Sequence, residues 1–169
     1  FHGGNGFPKQ LESKPLFRYD YIPRGYLDGA VWRLGKTGRP LAVVTTELHP
    51  RYGMQGTDRS NPRVVYDLLS LSDSRFSSKS TDFVWSPAQS AVTFMPIAEA
   101  PTPADSKIQR MMQMKQLARR FSAVQTVSES GTENQQLVLR LLPQNIDRYA
   151  PANDEGTSKP TELDGAMFL

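Results

Sequence analysis

Two runs rich in β-branched and aromatic residues, 29–34 and 41–48, flank the stretch Gly35-Lys36-Thr37-Gly38. Glycine supplies the positive backbone angles that a tight reversal needs, and the flanking residue types suit a pleated, half-buried surface. The spacing predicts an antiparallel hairpin. Pro40 falls at the start of the second run, where a missing N–H is tolerated.

The rest of the chain reads around that hairpin. Residues 16–22 are aromatic and β-prone and close on Pro23. Residues 49–62, with two prolines and two glycines, read as loop, and 63–71 as strand or short helix. Residues 83–86 and 91–97 suggest two strands about Pro87. A long amphipathic helix is expected over 103–127, capped by Thr102 with Pro103 in its first turn. Met114, Leu117, Ala118, Phe121 and Val124 would form its apolar face, with Lys115, Gln116 and Arg119 opposite. Residues 137–142 suggest a buried strand, and 128–136 and 150–162 polar loops.

The fold class that follows is α+β: a mainly antiparallel twisted sheet with one long amphipathic helix packed on one face. Residues 1–15 read as a mobile N-terminal segment and 16–169 as one domain. The chain stops inside the apolar run Ala166-Met167-Phe168-Leu169, which suggests truncation at the C-terminus.

Charge narrows the function classes. Twelve Lys/Arg stand against eight Asp/Glu in residues 1–85, and eight against nine in 86–169, for a net +3. Interleaved signs argue against a nucleic-acid stripe, which would need a contiguous basic face around Arg18, Arg33, Arg51 and Arg63. There are no cysteines, which excludes disulfides, thiolate metal sites and Cys nucleophiles. No run approaches the ~20 apolar residues of a membrane span.

One pattern occurs twice. Arg18-Tyr19 is followed by Leu27-Asp28-Gly29-Ala30-Val31-Trp32, and Arg148-Tyr149 by Leu163-Asp164-Gly165-Ala166-Met167-Phe168. It reads as an internal repeat, although Asp-Gly also suits turn formation. Together with Gly38-Arg39-Pro40, Leu69-Ser70-Leu71-Ser72-Asp73, Val84-Trp85-Ser86-Pro87, Ala100-Pro101-Thr102-Pro103-Ala104, the stretch 114–121 and the stretch 139–144, these residues resemble a family of uncharacterised bacterial proteins, mostly from planctomycetes. The resemblance covers most of residues 16–169. It implies export and a further strand after the second Asp-Gly-Ala, and it implies no activity.

The chemistry-bearing motifs are sparse. Gly35-Lys36-Thr37 lacks the upstream glycine of a phosphate-binding loop, because position 30 is Ala. No Gly-X-Ser-X-Gly elbow is present, and Ser70 and Ser72 have no neighbouring base except His49. Glu47 and His49, two apart on a strand, should project to one face and could supply two metal ligands, but a third is wanting. Met111, Met112 and Met114 suit a core or an adaptable groove. Arg110 needs a carboxylate or a route to solvent. Arg140, in an apolar run, is either outward-facing or buried in an ion pair that could anchor a ligand. Glu47, His49 and Arg140 are therefore the candidate binding residues, with no metal site and no cofactor implied. The residues favour a non-catalytic binding or structural module. The alternative is an enzyme or small-molecule binder with a site in a helix–sheet cleft. Partners follow from neither, although a protein or cell-surface partner fits an exported module.

Overall fold

A computed structural model of the chain describes residues 2–3, 11–21, 26–53, 56–73, 75–79, 84–86, 88–90, 92–127, 135–150 and 164–169. Its elements, in order, are β1 (His2–Gly3), β2 (Phe17–Tyr21), β3 (Tyr26–Leu34), β4 (Ala42–Gly53), β5 (Gly56–Ser70), β6 (Phe76–Lys79), β7 (Val84–Trp85), α1 (Lys107–Ala118), β8 (Ala123–Val127), β9 (Gln135–Leu139), β10 (Asp147–Tyr149) and β11 (Gly165–Met167). The architecture is mostly antiparallel sheet with one helix. The chain divides into two compact units: 1–94 with 150–163, and 95–149 with 164–169.

In the first unit β2, β3, β4 and β5 form a four-stranded antiparallel sheet in chain order. The expected hairpin is its centre, with Leu34 opposite Ala42 and Asp28 opposite Leu48. Gly35 and Gly38 take positive φ, 100° and 65°, which is why both turn positions are glycine. The Arg33 guanidinium donates to the Gly35 and Gly38 carbonyls and ties the turn back to β3. Arg33 is buried, so it cannot belong to a basic binding face.

The β3–β4 pair is buried on both sides of the sheet, which explains its near-continuous apolar run. Strand alternation puts Ala30, Leu34, Ala42 and Val44 on one face and Val31, Arg33 and Val43 on the other; all are buried. Leu34 and Ala42 form the closed centre of the core, with Leu11, Leu68 and Trp85 packed against them. The described part of the N-terminal segment is bonded here too. Leu11 bridges to Leu34, and the Glu12 N–H donates to the Arg33 carbonyl. Most of residues 1–10 lies outside the described residues.

Residues 49–62 are not the expected loop. β4 and β5 continue through most of that stretch as a long hairpin. The ladder breaks between His49 and Arg51, where the register shifts. Pro50 and Pro62 sit at that break, where no ladder N–H is required of them. The Asp58 carboxylate accepts from the Ser60 N–H and hydroxyl, so the local polar groups bond one another. Residues 63–70 are strand, their helix-like ambiguity settled by pairing with β4.

Of the two strands expected about Pro87, the first is present at Val84–Trp85, and the second is absent among the described residues. β7 pairs with β6 instead, and β6 also pairs with β1. Residues 92–97 run outside any ladder. The Ser90 hydroxyl bonds the Ser72 carbonyl, and the Arg39 guanidinium lies 4.2 Å from the Phe94 ring centroid. Such side-chain contacts hold a segment without a partner strand.

In the second unit the helix is shorter than the periodicity suggests. Ser106, not Thr102, is the N-cap, and its side chain accepts from the Gln109 N–H. Residues 101–105 lie outside the helix, and the Ser106 side chain supplies the cap that the first free N–H groups need. After Ala118 two further N–H groups, those of Arg120 and Phe121, close a tight terminal turn. The β-branched residues Val124, Thr126 and Val127 then favour strand β8, so Phe121 and Val124 leave the helix. No residue of α1 is fully buried, and no described helix is long and apolar enough to cross a membrane. β8 pairs with β9, and β10 with β11. The expected buried strand at 137–142 is exposed instead: Val138 is 71% and Leu139 50% accessible. A two-stranded ribbon has too few neighbours to cover both of its faces.

Leu34→Ala should cost about 3 kcal/mol in urea unfolding, since it opens a cavity at a closed position. Val64→Ala, on an exposed β5 position, should stay within about 0.5 kcal/mol.

Candidate functional site

The sheet of the first unit presents two chemically different faces. On one, β4 carries Glu47 and His49, which project together as the two-residue spacing requires. The Glu47 carboxylate accepts from the Tyr19 hydroxyl of β2 at 2.6 Å and contacts His49 Nε2 at 2.8 Å. Both Glu47 and His49 side chains are more than four-fifths covered. Burial pushes the Glu47 carboxyl up, but the hydrogen bonds from Tyr19 and His49 and the His49 charge outweigh it, and the group is held below its ordinary value. Both carboxylate oxygens are thus engaged within the sheet.

The opposite face holds an open concavity of about 420 Å³. Arg18 of β2, Asp28, Ala30 and Trp32 of β3, Thr46 and Leu48 of β4 and Val64 of β5 line it, as alternation along paired strands dictates. Glu47 borders it through its main chain, because its side chain belongs to the other face. The Trp32 indole N–H donates to the Thr46 hydroxyl at 2.9 Å, which fixes the ring as one wall. Arg18 and Asp28 form an ion pair at the rim. Asp28 lies inside β3 and bonds across the ladder, so it is no turn residue.

Tyr19 lies directly opposite Gly29 in the ladder. A Cβ on Gly29 would sit 2.6 Å from the tyrosine ring. The glycine is there because the ring occupies the space a side chain would take.

The second unit repeats these contacts. Tyr149 lies opposite Gly165 and Arg148 opposite Ala166, and the Tyr149 ring fills the place of a Gly165 Cβ. Asp164 accepts from Arg148 Nη2 at 2.6 Å and from Arg110 Nε at 2.7 Å, and its side chain is only 6% accessible. Arg110 also donates to the Ala104 and Asp105 carbonyls, and Arg148 to the Lys107 carbonyl. Asp164 therefore locks β10 to β11 and ties both to the start of α1. Arg110 has the carboxylate partner it needs rather than a snorkelling route to water. Burial pushes the Asp164 carboxyl up, but the Arg148 and Arg110 guanidinium groups outweigh it and hold it below the usual carboxylate range.

An open groove of about 460 Å³ lies beside α1, lined by Met114, Leu117, Ala118 and Phe121 together with Ile97, Leu141, Ala166 and Phe168. Met114, Leu117 and Ala118 of α1, with Phe121 beyond its end, line this groove instead of a closed core.

The three candidate residues have different fates. Glu47 and His49 meet. Arg140 is exposed just beyond β9 and is in no buried ion pair. Ser70 pairs with Ala42 and His49 with Arg63, which separates serine and histidine by about 23 Å along the strand. Among the described residues no three His, Cys, Asp or Glu side chains come together as a metal site. The residues that sequence reasoning undervalued are Tyr19, Tyr149, Asp28 and Asp164. Their signal was the doubled motif itself, since turn chemistry explains Asp-Gly but not the Arg-Tyr that precedes it. No family model, curated protein or solved structure matches the chain.

The Asp164 linkage has a definite sign. A carboxyl held below its ordinary 3.8 contributes stability that is present above that value and lost as pH falls through the folded one. Acid titration of unfolding should show this loss below about pH 4. Asp164→Asn should cost about 3 kcal/mol at neutral pH and flatten that part of the profile.

Proposed function

We propose that the chain is a non-catalytic binding or structural module of an exported bacterial protein, built on two copies of one Arg-Tyr/Asp-Gly-Ala hairpin. One observation carries this reading: the two hairpins correspond contact by contact. Arg18 faces Ala30 and Tyr19 faces Gly29, as Arg148 faces Ala166 and Tyr149 faces Gly165. The Leu16 N–H donates to the Val31 carbonyl and the Glu12 N–H to that of Arg33. Ile146 donates to Met167 and Leu142 to Leu169 at the matching positions. Arg18 pairs with Asp28 as Arg148 pairs with Asp164.

Turn formation alone asks for none of these. The shared arrangement spends its charged groups on joining strands: each carboxylate is held by the arginine of the neighbouring strand. A group whose lone pairs are already committed to guanidinium is poorly placed to act as acid, base or nucleophile. Export, and membership of the family that residues 16–169 resemble, belong to the same reading and rest on that resemblance.

A second reading has one observation in its favour. The concavity on the β2–β5 sheet combines a fixed indole wall, apolar Leu48 and Val64, and the Arg18–Asp28 pair. Few and oriented polar groups on an apolar lining suit a small molecule with one flat face and a few hydroxyl or amide groups.

Two measurements test these readings. Gly29→Ala and Gly165→Ala should each cost about 2 kcal/mol through overlap with the tyrosine ring. In Tyr19→Ala and Tyr149→Ala backgrounds, respectively, that cost should vanish. A large coupling in one hairpin and none in the other would refute the two-copy reading. A thermal-shift panel of sugars, nucleotides, metals and lipids should be silent. A ligand at about 100 times its Kd adds roughly 2.7 kcal/mol, so a hit that Trp32→Ala abolishes would establish the small-molecule reading instead.

A further inference from the structure

The four-stranded sheet of the first unit ends on β5, and among the described residues no strand lies along its outer edge. That edge runs from Gly56 to Ser70, and none of its described side chains is fully buried. Val64 is 63% and Tyr66 43% accessible. A long edge with exposed apolar side chains is a template for pairing with another strand. The hydrogen bonds show which residues it offers. The Val31 and Arg33 carbonyls accept from the β2 side, from the Leu16 and Glu12 N–H groups. Main-chain groups alternate along a strand, so Ala30, Trp32 and Leu34 turn theirs toward β4. Carried through the β3–β4 and β4–β5 registers, the alternation turns Arg63, Val65 and Asp67 toward β4 and Val64, Tyr66 and Leu68 outward. The Leu71 N–H, which donates to the Leu41 carbonyl, fits the same alternation.

The outer edge is complementary to itself. An antiparallel partner strand must set its outward residues against these outward residues. A second β5, related by a two-fold axis at Val65, does so. Val64 then faces Tyr66 of the second copy, and the two exchange main-chain bonds. The same register puts Arg63 directly opposite Asp67 of the second copy, and the symmetry makes that pair twice. Charges so placed have Cβ atoms about 5 Å apart; opposite signs attract and like signs repel. Both side chains are exposed, and no ion pair among the described residues includes either. An axis at Val64 or at Tyr66 also matches the main-chain groups. It would set Arg63 against Val65 or Leu69 and leave both charges unmatched.

We infer that β5 is the contact between two molecules of this chain, which join edge to edge as an antiparallel β5–β5 pair and merge their four-stranded sheets into one. The stretch Arg63-Val64-Val65-Tyr66-Asp67 carries the contact, basic at one end, acidic at the other and apolar between. Main-chain bonds supply affinity, as in other strand additions. The two charges select a second copy over an unrelated strand and fix the register. Val64 and Tyr66 cover each other on one face of the joined sheet. The inference goes beyond the reading of the two hairpins as repeats and does not depend on it.

Sedimentation equilibrium of the full chain should show a reversible dimer of twice the 18.9 kDa chain mass. Its Kd should fall in the micromolar range that a short interface allows. Arg63→Asp puts two like-charge pairs in place of two attractive ones, and so does Asp67→Arg. Each alone should weaken dimerisation about tenfold or more. An equimolar mixture of the two variants should dimerise as wild type does, because each supplies the charge that the other lacks. The double variant Arg63→Asp/Asp67→Arg should dimerise by itself. Both positions are exposed, so circular dichroism should show every variant folded. Wild type that stays monomeric at millimolar concentration overturns the proposal. Single variants that dimerise like wild type overturn it too, since the contact then lies elsewhere. So does a mixture of the two folded variants that fails to dimerise.

Discussion

A tyrosine ring laid over a glycine in the neighbouring strand organises both units. Across a β ladder, a residue with no side chain leaves a gap over the backbone, and an aromatic ring from the opposite position can fill it. Tyr19 does this at Gly29 and Tyr149 at Gly165. The contact fixes register, because a one-residue slip would drive the ring against Asp28 or Ala30 and turn every side chain to the wrong face. The arginine beside each tyrosine then meets the aspartate beside each glycine, and the ion pair reinforces the same register.

That one device has different surroundings in the two units. In the first it sits at the edge of a four-stranded sheet whose central pair is buried on both faces, so it adds to an existing core. In the second the strands come in pairs, the helix has no fully buried residue, and the β8–β9 ribbon leaves large apolar side chains accessible. Two strands alone bury little apolar surface. The Arg110–Asp164–Arg148 cluster, centred on the buried Asp164 carboxylate, therefore matters more there, since it fastens the hairpin to the start of α1. A charge cluster of that kind contributes less through its net energy than through the penalty for leaving any member unpaired.

Much of the architecture was legible locally. The β3–β4 hairpin follows from Gly35, Gly38 and the runs beside them, because turn geometry and strand propensity act over a few residues. The shared projection of Glu47 and His49 follows from strand alternation. The doubled Arg-Tyr and Asp-Gly-Ala motif was visible, but its meaning was not. Nothing in sequence distinguishes an aspartate that makes a turn from one that bonds an arginine across a ladder. The helix was misjudged for a related reason: apolar spacing at 121 and 124 fits a helix, and only the β-branched residues that follow, paired with β9, favour a strand.

By itself, then, the sequence determined the residue types each local structure demands: glycine where φ is positive or a ring presses, β-branched residues where strands pair, serine where a helix begins. It also determined that no cysteine chemistry is open to this chain. The tertiary structure decided which of these segments meet. Long-range pairing continued β4 and β5 through two prolines, and it gave Asp164 two arginines while leaving Arg140 in solvent. The physical reason is that propensity differs by about 1 kcal/mol or less per residue. Ladder bonds, burial and buried ion pairs each act between residues far apart in the chain, with energies as large or larger, and so they settle what local preference leaves open.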